Sequence, residues 1–114
     1  MVTLHLSEKR CVACEGGVPP LSPEQLRVLL PQVPGWEVSA DGTLLSRDYV
    51  CRDFAEALAF LEQVGALSEA EGHHPDLHLT GYRHLRIELY THAIGGLSEN
   101  DLILAAKINT LRTA

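Results

Sequence analysis

The sequence predicts an α+β fold: a four-stranded antiparallel sheet with three helices packed on one face, in the order α-β-β-α-β-β-α. Three observations point there. Apolar residues recur at helical spacing through one long central stretch, and they alternate with polar residues in several short ones. Turn-forming residues stand between the pieces. The chain has 114 residues, the size of a single domain. Residues 1–21 read as an N-terminal arm and 22–114 as one domain.

Cys11 to Pro20 has loop-like composition, with Gly16-Gly17 and Pro19-Pro20 ahead of the first helix signal. That signal is Ser22-Pro23-Glu24-Gln25: Ser22 can cap, Pro23 suits the first helical position, and Gln25 can reach back to the cap. Leu26, Leu29 and Leu30 give this short helix an apolar side. Pro34-Gly35 forces a turn, and Trp36 and Val38 alternate with polar neighbours as a first strand. Asp41-Gly42 is a hairpin signal, returning the chain as a second strand over Thr43 to Val50.

Asp53 with Glu56 opens the longest helix, running to about Glu71. Phe54, Leu58, Leu61 and Val64 recur at helical spacing, with Ala57 and Leu67 beside them. Gly72 fits the position just past a helix end, and Pro75 biases His74 towards extended backbone. Leu77 and Leu79 alternate in a third strand, a turn follows around Gly81, and Leu85, Ile87 and Leu89 alternate in a fourth. Gly95-Gly96 interrupts the chain before Ser98 and Asp101 start a last helix, reaching about Thr110.

Composition excludes some functions. A net charge of −6 argues against nucleic acid, whose binders carry a basic footprint, and gives no attraction to an anionic membrane. No stretch approaches the ~18 apolar residues that span a bilayer. The opening MVTLHLSEKR turns charged early, so no secretory signal is expected. Three cysteines, an odd number, do not suggest a disulfide framework. A reducing cytoplasm is the expected location.

The chemistry-bearing residues gather at element ends. His73 and His74 follow the long helix, and His92 follows the fourth strand. A helix C-terminus favours a nearby cation, and imidazole titrates near neutral pH, which suits general acid–base work. Glu69, four residues before His73, is placed to hydrogen-bond one of its ring nitrogens and fix the tautomer. On spacing alone Asp101 reads as a helix-capping residue, and Tyr82 and Trp36 as half-buried aromatics. A zinc site from three histidines and Glu69 is the competing reading. Against it, adjacent side chains diverge in extended backbone and there is no HExxH pair, so no metal is expected. Cys11-x-x-Cys14 lacks two further ligands at a recognisable spacing, and reads as two reduced thiols.

The segment Glu69-x-x-x-His73-His74-Pro75, then Tyr82, His92 and Asp101 at their spacings, resembles the signature of the pterin-4a-carbinolamine dehydratase family. Arg52 to Ala57 resembles the opening of the family's long helix, and Thr91 to Asp101 its strand-to-helix junction. Cys11 to Gly17 is similar to the N-terminal arm of many bacterial members. Two departures stand out: Gly72 where many members carry Asp or Asn, and Leu77 in place of the aromatic of animal members.

The resemblance implies loss of water from a 4a-hydroxytetrahydropterin to give quinonoid dihydropterin. It implies His73, His74 and His92 as the catalytic set, with His73 and His92 in proton transfer and His74 holding the pterin. Glu69, Pro75, Tyr82 and Asp101 would bind or orient substrate, Glu69 by holding His73. The reaction is redox-neutral, so no cofactor is implied. A homodimer or homotetramer is expected, and an aromatic amino acid hydroxylase is the implied source of substrate. Two rivals are a pterin-handling role in molybdopterin metabolism and a binding module for a transcription factor's dimerisation helix.

Overall fold

The computed structural model describes residues 5–11 and 19–111. It is α+β, with helices α1 (Pro23–Leu29), α2 (Phe54–Glu71) and α3 (Glu99–Leu111) and strands β1 (Glu37–Val38), β2 (Leu45–Val50), β3 (Asp76–Thr80) and β4 (His84–Leu89). The sheet is antiparallel in the order β1-β2-β4-β3. This is the expected element order, with β1 shortened to two residues.

Local chemistry sets the helix starts. Ser22 accepts from the Gln25 N–H while Gln25 Oε1 accepts from the Ser22 N–H, a complete capping box. Asp53 caps α2 by accepting from the Glu56 N–H at 2.8 Å. At the other end of α2 the Gly72 N–H donates to Glu69 O and the His73 N–H to Ser68 O at 3.2 Å, a Schellman closure. Gly72 sits at φ +66°, the left-handed region that glycine enters freely and Asn or Asp tolerate best among other residues.

The core lies between the sheet's inner face (Leu45, Tyr49, Leu85, Ile87, Leu89) and the helices. Helix α3 runs through its centre, buried continuously from Asn100 to Ala106, as expected of a helix covered on all sides. Helix α2 presents Ala57, Phe60, Val64 and Ser68 to this core. The expected stripe is met at Ala57, Leu61, Val64 and Leu67 but not at Phe54 and Leu58, which belong to a second apolar line and stand 49% and 40% exposed. Two apolar stripes run side by side on α2, and sheet and α3 cover only one. In the N-terminal arm, a short 3₁₀ turn at Leu6–Glu8 packs against α3 with Leu6 buried. Cys14 and Gly16-Gly17 lie outside the described residues.

Candidate active site

Four element ends meet at one end of the molecule: the end of α2, the start of β3, the end of β4 and the start of α3. Register brings two of them together, since Asp76 pairs with Glu88 across β3 and β4. Hydrogen bonds bring in the rest.

His73 Nε2 lies 2.6 Å from Asp101 Oδ1, with the histidine largely buried and the aspartate fully so. A carboxylate only accepts, so Nε2 carries the proton, and Nδ1 has no hydrogen-bond partner among the described residues. The other carboxylate oxygen accepts from Thr91 Oγ1 at 2.8 Å and from the Ser98 N–H at 2.9 Å. Asp101 thus caps α3, as its spacing predicts, and also holds a histidine. Here the sequence reading needs correcting, because Glu69 does not hold His73. The Schellman closure reverses the chain at Gly72 and turns His73 off the α2 surface towards α3. His74 swings back instead, its Nε2 2.5 Å from Glu69 Oε2 in an exposed pair.

His92 begins a 3₁₀ turn, His92–Ile94, closed by a bridge between Thr91 and Gly96. The Thr91 N–H donates to Gly96 O at 3.0 Å. Gly95 turns the chain at φ +67°, and a Cβ on Gly96 would come within 2.8 Å of Pro20 Cβ. Both glycines are thereby required to present His92 beside the start of α3. His92 Nε2 contacts the Tyr90 hydroxyl at 2.8 Å, with the rings edge to face.

Pro75 joins His74 to β3 without contributing a polar contact of its own. Tyr82 is elsewhere. It lies in the β3–β4 turn, exposed and at φ +56°, separated from the histidines by about 13 Å of strand at 3.3 Å per residue. Within one chain it does not join the cluster. Asp76, Tyr90 and Thr91 do join it, although sequence reasoning passed over them. The alternation through Leu85, Ile87 and Leu89 puts Tyr90 on the outer face with Glu88, a signal that could have found it. Among the described residues no helix is long and apolar enough to cross a membrane.

The family described as pterin 4 alpha carbinolamine dehydratase matches residues 19–111. A protein of Methylococcus capsulatus, provisionally named pterin-4-alpha-carbinolamine dehydratase, is 48% identical over 97% of this chain and 96% of its own length. The mitochondrial pterin-4-alpha-carbinolamine dehydratase 2 of Arabidopsis thaliana is 44% identical over 94% of this chain and 59% of its own. Among solved structures, a transcriptional coactivator/pterin dehydratase from Brucella melitensis superimposes with a TM-score of 0.75 at 26% identity, covering 81% of this chain and 97% of that one. A pterin dehydratase-like protein, described as a RuBisCO assembly factor in the alpha-carboxysome, gives 0.58 at 25% identity, covering 70% and 92%. The match spans the fold and every histidine of the cluster, and the chain belongs to the pterin-4a-carbinolamine dehydratase family.

Proposed function

We propose that this protein eliminates water from a 4a-hydroxytetrahydropterin by histidine acid–base catalysis, in the recycling of tetrahydropterin. The observation that carries the reading is the His73–Asp101 pair: a largely buried imidazole with one nitrogen tied to a fully buried carboxylate and the other free. That is the arrangement of a general acid–base histidine.

In the proposed step the C4a–O bond breaks and a double bond forms between C4a and N5. The departing hydroxyl takes a proton from one imidazolium and leaves as water. The N5 proton passes to a neutral imidazole. The proton count closes, no electrons are gained or lost, and the histidines exchange protonation states. His73 and His92 come from opposite sides of the β3–β4 hairpin's open end, which suits two proton events on one flat ring. His74, exposed and paired with Glu69, is suited to holding the pterin. The reading of residues 22–114 as one catalytic domain belongs to the same proposal, as does a cytoplasmic, homo-oligomeric protein supplied by an aromatic amino acid hydroxylase.

The test is a turnover assay following the ultraviolet spectrum of a 4a-hydroxytetrahydropterin. Conversion to quinonoid dihydropterin well above the spontaneous rate is expected; a rate equal to the blank would end the proposal.

A second reading, a protein-binding module, draws on the names of the two structural relatives and on the uncovered Phe54–Leu58 line of α2. Wild-type pterin binding without turnover, together with a specific partner on that helix, would favour it.

A further inference from the structure

The proton-transfer scheme leaves Tyr90 unused, although it makes the closest polar contact to His92. Tyr90 is the first residue beyond β4, half-buried, and on the same sheet face as Glu88. Its hydroxyl oxygen is 2.8 Å from His92 Nε2. The two rings pack edge to face, centroids 4.3 Å apart at 83°, a geometry that limits rotation of the imidazole. The carboxylate of Asp76, the first residue of β3, acts on that hydroxyl. Loss of solvent contact and that carboxylate push the phenol above its ordinary range, so it keeps its proton at neutral pH.

A phenol hydroxyl can both donate and accept, so it holds His92 Nε2 in either tautomer. We infer that Tyr90 is a positioning residue that fixes the ring of His92 by its Nε2 and leaves Nδ1 to face the substrate. The inference rests on the dehydratase reading for its consequence in turnover, while its structural half is independent. It makes the two proton-transfer histidines alike in logic: Nε2 is tied back, to Asp101 in one case and to Tyr90 in the other, and Nδ1 is free. Outer partners of metal-binding histidines typically change activity by about 10- to 100-fold when removed, and an effect at the lower end of that range is expected here.

Two measurements decide it. The first compares Tyr90→Phe, His92→Ala and their combination on a 4a-hydroxytetrahydropterin. Tyr90→Phe keeps the ring contact and loses only the hydroxyl. It should lower kcat about 10-fold with KM nearly unchanged, and it should cost nothing further in the His92→Ala background. Loss of turnover in His92→Ala with wild-type turnover in Tyr90→Phe would overturn the inference and leave the dehydratase reading intact. The second is ¹⁵N spectroscopy of the histidine rings at a pH where they are neutral. In Tyr90→Phe the His92 Nε2 resonance should move, because that nitrogen loses its hydrogen-bond partner. An Nε2 resonance that stays in place would refute the inference whatever the kinetics. Wild-type turnover in His92→Ala would refute the role of His92 in catalysis, and with it the kinetic half of the inference.

Discussion

His73 and Asp101 stand 28 residues apart in the chain and 2.6 Å apart in space, and the aspartate that holds the histidine also caps helix α3 from its first turn. Replacing Asp101 with Asn should therefore damage two properties at once. Turnover is expected to fall about 10²-fold or more, as a misoriented acid–base histidine would cause. Stability to urea should fall by about 1–3 kcal/mol, because the Ser98 N–H and the Thr91 hydroxyl lose a carboxylate acceptor. A variant with wild-type kcat would show that the pair does not serve catalysis.

The three histidines should separate kinetically. Ala at His73 or His92 is expected to lower kcat by about 10² to 10⁴, and the double variant should be worse than either. Ala at His74 should raise KM more than it lowers kcat, the pattern for a group binding ground and transition states alike. Near wild-type turnover in the His73–His92 double variant would end the acid–base assignment.

A purely structural prediction concerns Asn109. Its side-chain oxygen accepts from Trp36 Nε1 at 2.9 Å and from Arg47 at 2.7 Å, while its amide donates to Pro34 O at 3.0 Å. It fastens α3 to β2 and to the turn before β1, far from the histidines in the fold. Asn109→Ala should destabilise by about 1–3 kcal/mol, read from denaturant midpoints, with KM for the pterin unchanged. An altered KM would tie this junction to the site.

Acid stability has a local source in the β1–β2 turn. Asp41 accepts from the hydroxyls of Ser39 and Thr43 at 2.6 and 2.7 Å. These bonds, with the Thr43 N–H, lower its carboxyl from 3.8 to about 2. A carboxylate lowered on folding stabilises the fold above its unfolded pKa. That contribution is lost as pH falls from about 4 through about 2. Asp41→Asn should lower stability measured by thermal melts near neutrality, where the contribution is full, and flatten its pH dependence across that window. An unaltered acid limb would place the effect elsewhere.

The uncovered line of α2 predicts self-association. Phe54 and Leu58 are large, apolar and substantially exposed one helical turn apart. Light scattering should find a dimer or tetramer, and Leu58→Glu should shift it to a smaller species. A wild-type monomer across micromolar concentrations would refute this.

Nearly all of the secondary structure was legible because its determinants are local. Ser22 with Gln25, Asp53 with Glu56, and Gly72 carry their helix boundaries within four residues. The alternation of Leu85, Ile87 and Leu89 carries β4. What was not legible is decided between elements. Whether α2 buries Phe54 or Phe60 depends on where α3 and the sheet lie, since both stripes are apolar. Which acid holds His73 depends on a reversal at Gly72 that periodicity cannot see. Glu69 was the obvious sequence neighbour, yet it holds His74. Tyr90 is marked only by the alternation of β4, and Thr91 beside it by no spacing at all.

The double duty of Asp101 also bears on how the site comes into being. Its partners Thr91 and Ser98 belong to the loop that delivers His92, and its first oxygen belongs to His73. Neither the anchor of His73 nor the loop of His92 is complete in a chain whose last helix has not docked. If α3 frays from its first turn while the sheet and α2 persist, His73 loses its anchor and the loop bearing His92 loses its clasp. Activity would then fade during heating before the bulk of the helical signal does, making turnover a sensitive gauge of whether α3 is seated.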